Sequence, residues 1–119
     1  ERWNLLNPTA KSPRVPFVTT SLQSSTGPVI AATDYMRSYA EQIRAYVPAG
    51  RTYKVLGTDG FGRSDTRAKL REFFEVNRYF VTVAALKSLA DEGAISASVV
   101  AQAIEKYGID PSKPNPVTV

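Results

Sequence analysis

Two short, largely apolar runs, Val29-Ile30-Ala31-Ala32 and Tyr53-Lys54-Val55-Leu56, flank a segment with helical periodicity. A strand, a helix and a second strand joined by short connections make a right-handed crossover, which pairs the strands in parallel under the helix. Thr33 and Asp34 follow the first run as natural N-cap residues, because their oxygens accept from the free N–H groups of a first turn. The spacing predicts a helix from Asp34 to about Val47, with Met36, Tyr39, Ala40, Ile43 and Val47 on its inward stripe and Arg37, Glu41 and Arg44 turned elsewhere. Pro48 and Gly50 stop it.

Three further helices are expected downstream. Ser64 or Asp65 caps the first, from Thr66 to about Val76, which carries Leu70, Phe73 and Phe74 inward and breaks at Asn77. The second runs from Arg78 to about Glu92 with Tyr79, Val83, Leu86 and Ala90 on one face, and Gly93 supplies a left-handed cap. The third, Ala97 to Tyr107, turns Val100, Ala103, Ile104 and Tyr107 inward before Gly108 and Ile109. The remainder is less regular. Pro8, Pro13, Pro16 and Pro28 interrupt residues 1–28, where Val15–Thr20 reads as a short edge strand and Ser21–Gly27 as an exposed loop. Trp3, Leu5 and Leu6 require a surface to bury against. The organisation expected is an irregular lead-in over 1–28, an α/β domain over 29–109 and an extended, loosely held tail over 110–119. Two or three strands against four helices leave a parallel sheet short of partners, so further strands are expected upstream.

Composition then narrows the chemistry. The chain has 119 residues, enough for one domain, and contains neither cysteine nor histidine. Disulfides, thiolate or imidazole metal sites and histidine-based acid–base catalysis are excluded within it. The net charge of +4 is spread among acidic neighbours, as in Lys87, Asp91 and Glu92, which argues against a nucleic-acid surface. No apolar run approaches the length of a membrane span, and the first residues lack the order of a secretory signal, so a cytoplasmic location is expected. Asp91-Glu92 and the Glu72/Glu75 pair read as solvated faces, and Tyr35, Tyr39 and Tyr46 as packing residues.

One loop merits a test as a site. Gly57, Asp59, Gly60, Gly62, Arg63, Ser64 and Asp65 lie at the C-terminal end of a parallel strand and before a helix, where open α/β sheets place ligands. Backbone N–H groups and Arg63 there suit a small anion or a nucleotide. The glycine spacing is G-x-x-G-x-G, which matches neither the dinucleotide nor the P-loop pattern. A purely structural turn, with Asp59, Ser64 and Asp65 bonding their own backbone, is the competing reading.

Three stretches stand out from Gly27 onward: Gly27-Pro28-Val29-Ile30-Ala31-Ala32-Thr33-Asp34-Tyr35-Met36, Ala40-Glu41-Gln42-Ile43-Arg44 and Tyr46-Val47-Pro48. In them the chain resembles the C-terminal end of the homodimeric bacterial first component of pyruvate dehydrogenase, in the transketolase superfamily. The resemblance is strongest at Val55-Leu56-Gly57-Thr58-Asp59-Gly60-Phe61-Gly62-Arg63-Ser64-Asp65. Leu70-Arg71, Phe74-Glu75-Val76, Val83-Ala84-Ala85-Leu86, Asn115-Pro116 and Trp3-Asn4 extend it over most of the chain. It implies a partial transketolase C-terminal-like domain, with an open, mostly parallel sheet covered by helices, serving architecture and subunit contact. It also implies thiamine diphosphate and magnesium between the upstream domains of the subunit, and a second subunit as partner. The dihydrolipoyl acetyltransferase core, whose lipoyl groups the full enzyme reductively acetylates after decarboxylating pyruvate, is a further implied partner. The family pattern has histidine near position 72 and aspartate at 77, where this chain has Glu72 and Asn77. Asp59-Gly60 is similar to the start of the thiamine-dependent diphosphate–magnesium motif, but Thr58 replaces its first glycine and no paired asparagines follow. No catalytic or cofactor-binding residue of the family is therefore expected on this segment.

Overall fold

A computed structural model describes residues 1–60 and 62–118. Strand β1 (Val29–Ala32) pairs in parallel with β2 (Tyr53–Leu56), with Val29 opposite Tyr53 and Ala32 opposite Leu56. The predicted crossover is present, and among the described residues the sheet has these two strands. Burial alternates along β2: Tyr53 and Val55 are buried on either side of an exposed Lys54. A helix-sandwiched parallel strand is buried throughout, so this strand has one open face.

The helices that precede the sheet differ from expectation. Residues 1–28 hold α1 (Arg2–Leu6) and α2 (Phe17–Leu22) in place of irregular chain and an edge strand over Val15–Thr20. Helix α2 begins directly after Pro16, a placement at which the missing proline N–H costs nothing. The crossover helix is also shorter than the Asp34–Val47 stripe predicts. It consists of α3 (Arg37–Glu41) followed by a single 3₁₀ turn, Arg44–Tyr46. Thr33 and Asp34 do not cap it: Met36 occupies the N-cap, the Thr33 hydroxyl accepts from Tyr35 N–H, and Asp34 faces Arg71. Met36 and Tyr39, expected inward, are exposed.

Downstream the pattern holds closely. Helix α4 spans Arg67–Phe73, α5 spans Arg78–Asp91 and α6 spans Ala97–Lys106. Thr66, rather than Ser64 or Asp65, caps α4, accepting from Lys69 N–H, while Asp65 accepts from the Thr66 N–H. Asn77 caps α5 by accepting from both Tyr79 and Phe80 N–H at 3.1 Å. Helices α5 and α6 form a hairpin closed by the Tyr79 and Tyr107 rings, 4.9 Å apart, and α5 lies against both strands. Each of α4, α5 and α6 ends in the same double backbone closure: the second residue past the cap reaches back five residues and the first reaches back three. Gly93 and Gly108 take the left-handed position in two of them, and Glu75, at φ 63°, takes it in the third.

The core is small. Among the described residues its buried apolar side chains are Tyr53, Val55, Phe74, Val76, Ala84 and Val100. The radius of gyration is 17.6 Å, against roughly 13.5 Å for a compact chain of this length. Accessible surface is 8514 Å², against about 6,300 Å² for a folded monomer of this mass. This protein leaves far more surface uncovered than a self-contained domain does.

Candidate functional site

The glycine-rich loop leaves β2 at its C-terminal end and passes beneath the start of α3. Thr58 N–H donates to Tyr35 C=O at 2.8 Å, which ties the loop to the end of the β1 strand. Asp59 then reaches α3: one carboxylate oxygen accepts from the Arg37 backbone N–H at 3.2 Å, the other from Arg37 Nε at 2.7 Å. The hydrogen bonds from Arg37 hold the Asp59 carboxyl below the usual aspartate range. Asp59 is thus the acceptor for a free N–H at the helix start, supplied from the next strand. Gly57 explains itself in the same contact. A Cβ there would stand 2.5 Å from Arg37 Cγ and 2.9 Å from its backbone nitrogen, so no side chain fits.

The second half of the loop is held differently. The Arg63 guanidinium lies 4.7 Å over the Phe73 ring, a cation–π contact with α4. Gly62, Arg63, Ser64 and Asp65 are all exposed. The loop therefore brings Gly57 and Asp59 onto α3, Arg63 onto α4, and leaves Ser64 and Asp65 at the surface.

Beside the loop lies a cavity of about 650 Å³ with Leu70, Phe74 and Val76 in its floor and Gly60, Gly62 and Arg63 in its wall. Across the Asp34–Arg71 pair is a second hollow of about 810 Å³, between the end of β1, the start of α5 and the end of α6. Arg71 grips Asp34 with two donors, Nε at 3.1 Å and Nη2 at 2.8 Å, and these bonds lower the Asp34 pKa. The smaller cavity gathers Arg63, Arg67 and Arg71, but Asp34 and Asp65 share the same wall. Arg71 is already answered by Asp34 and Arg63 is stacked on Phe73, and no unpartnered buried polar side-chain atom points into either space among the described residues.

Sequence reasoning singled out the loop but missed its partners. Arg37, Asp34, Arg71 and Phe73 give the loop and cavities their shape, and each acts across a separation in the chain that periodicity does not reveal. Glu72 pairs with Lys69 on the solvent face of α4, and the Asp91 carboxylate pairs with Lys87, as solvated faces do.

Residues 3–77 match the family model described as the transketolase-like TK C-terminal domain. This chain belongs to that family. Its relatives are proteins named pyruvate dehydrogenase E1 component. The one from Cupriavidus necator is 66% identical over 119 residues, covering 100% of this chain and 13% of the relative. Those from Pseudomonas aeruginosa and Escherichia coli are 62% and 53% identical, each over 98% of this chain and 13% of the relative. The chain thus spans about an eighth of the length of the curated relatives it matches.

Asp59-Gly60, the stretch similar to the start of the diphosphate–magnesium motif, is engaged within the chain, where both Asp59 carboxylate oxygens are bonded to Arg37. Among the described residues no group of three or more acidic side chains is placed to hold a metal ion. Among the described residues no helix is long and apolar enough to cross a membrane.

Proposed function

We propose that this chain is the architectural, subunit-contacting part of a pyruvate dehydrogenase first component and carries none of its reaction centre. The observation behind the reading is identity of 66% along the whole chain to a protein of that name, of which it spans 13%. The exposed surface supports the contact role. Leu5, Phe17, Tyr35 and Tyr39 are each more than half exposed, the sheet has an open face, and the molecule is expanded for its length. Apolar side chains left in water in such numbers suit a surface that upstream domains of the same subunit, or a second subunit, would cover.

In this reading the full-length polypeptide is a cytoplasmic homodimer that binds thiamine diphosphate and magnesium upstream of these residues. It decarboxylates pyruvate and passes the acetyl group, with reduction, to lipoyl groups on a dihydrolipoyl acetyltransferase core. Nucleic acid and membrane are not partners: Arg37, Arg44, Arg71, Lys69, Lys87 and Lys113 are each paired with a carboxylate rather than gathered on one face.

The test is calorimetry with thiamine diphosphate and magnesium on the 119-residue chain and on the full-length subunit. Heat of binding is expected from the full-length subunit alone, and a saturable signal from the short chain overturns the reading. Native mass spectrometry of the short chain separates the contact role from an autonomous module. Dimers or larger assemblies are expected; a stable monomer would favour a small-anion module on the 57–65 loop, which Arg63→Ala would then disable.

A further inference from the structure

We propose that the C-terminal segment is a latch that fixes the 57–65 loop, with Lys113 as its catch and the Phe73 ring as the seat shared by latch and loop. The segment was expected to be extended and loose. Instead two turns shape it, one closed by Lys113 N–H on Asp110 C=O, the other by Thr118 N–H on Asn115 C=O. Between them the Lys113 ammonium donates to Phe73 C=O at 2.7 Å and meets Glu75 Oε1 at 3.3 Å. The carbonyl it takes is one of those a helix end leaves free, at the negative pole of α4.

This ion pair differs from the others that lysine makes here. The Lys113 side chain is 29% exposed, against 68% for Lys69 and 61% for Lys87. Fully solvated pairs contribute little, whereas a partly dehydrated ammonium with a backbone acceptor and a carboxylate is a fixed point. Lys113 Nζ also stands 4.9 Å from the Phe73 ring centre, and Arg63 of the loop stands 4.7 Å from the same ring. One aromatic side chain therefore receives a cation from the tail and a cation from the loop.

A second contact joins the two segments directly. Gly60 has φ +97°, and a Cβ on it would lie 3.4 Å from both Pro116 O and Val117 Cα. The tail backbone runs against the loop where the loop has no side chain to hold it off. The first half of the loop has its own ties, through Thr58 and Asp59. Among the described residues Gly62, Arg63 and Ser64 make no hydrogen bond to the rest of the chain, so their path depends on Arg63 stacking and on the adjoining tail. Because Gly60, Gly62 and Arg63 wall the 650 Å³ cavity, the latch also sets the shape of its mouth.

Trypsin reads this arrangement in the full-length subunit. The Arg63–Ser64 bond is a substrate only when Arg63 leaves Phe73, while Lys113 precedes Pro114 and resists cleavage. Lys113→Met and Phe73→Leu are each expected to raise the rate of cleavage after Arg63 by about tenfold, the loss of one charge-assisted contact in a local opening. Hydrogen exchange over 57–66 should quicken in parallel, with exchange in α5 unchanged. Gly60→Ala, which strains the loop at its positive φ and leaves Lys113 in place, should quicken exchange over 57–66 and over the adjoining 110–118. Unaltered cleavage and exchange in Lys113→Met and Phe73→Leu overturn the latch. So does loss of α5 protection in Lys113→Met, because the tail would then be part of the global core.

Discussion

In the α5–α6 hairpin apolar side chains leave water and polar groups close on nearby backbone, whereas residues 1–28 follow the opposite rule. Ala84, Ser88 and Val100 are buried in the hairpin, and the Ser88 hydroxyl is satisfied by Ala84 C=O one turn back. Neither α1 nor α2 has a buried residue. That region is fastened by polar ties instead. Arg51 donates to Gly27 C=O, Leu22 C=O and the Ser25 hydroxyl; Thr19 donates to Tyr46 C=O; and Tyr46 OH donates to Glu1. Polar ties set position without removing apolar surface from water, so they orient the segment while leaving Leu5 and Phe17 outward. A segment positioned in this way offers its apolar side chains to something else.

The contrast can be broken most directly with two phenylalanines. Phe74→Ala is expected to lower stability by about 3 kcal/mol, the usual cost of a cavity left by a buried ring, while Phe17→Ala changes it by less than about 0.5 kcal/mol. Equal shifts in denaturation midpoint would show that the N-terminal segment is core after all. Gly57→Ala comes next, at about 2 kcal/mol, because its Cβ meets Arg37 backbone; Gly62→Ala, with open space around it, should be near neutral. Thermal unfolding distinguishes the two. Arg51→Ala should loosen residues 17–28 by about 1 kcal/mol in hydrogen exchange and leave α5 as it was, sharpening the claim that polar ties hold only their own segment.

The smallest effects lie in pH, and the ion pairs at the ends of β1 and β2 respond on the opposite side from the tie that holds the N-terminal segment. Asp34 and Asp59 have native pKa values below their unfolded ones, so their contribution is complete above about pH 4 and fades as pH falls through the depressed native values. Both are solvent-accessible, which limits each to less than about 1 kcal/mol. The hydrogen bond to Glu1 raises the Tyr46 pKa instead, so that tie is intact below about pH 10 and is lost as pH rises through the raised native value. Trp3 is the sole tryptophan, and its fluorescence should report the alkaline change while backbone dichroism stays constant. Loss of both signals together would show that the regions are coupled.

What the sequence made legible was what neighbours in the chain decide. Helices α5 and α6, with Asn77, Gly93 and Gly108 at their ends, follow from period and cap chemistry, as do β1 and β2. Helix α3 came out short because Asp34 turned to Arg71 and the acceptor for the Arg37 N–H came from Asp59. The stripe from Met36 to Val47 promised more helix than those long-range bonds permit. In residues 1–28 the prolines pointed to irregular chain, although Pro16 stands just where a helix accepts it. At the candidate site the loop was visible as a glycine cluster, but what fixes it was not: Lys113 reaches Phe73 across a separation of 40 residues.

The corner at Glu75 carries a consequence for which replacements the chain can accept. At Gly93 and Gly108 a side chain would introduce local backbone crowding that is absent now, least for asparagine or aspartate. At Glu75 the crowding is already present and is tolerated, and the carboxylate meets Lys113 in return. Glycine, asparagine or aspartate would sit there at no greater backbone cost, while valine, isoleucine or threonine would not fit the left-handed turn. Of three corners with one backbone geometry, this is the one that already carries a side chain.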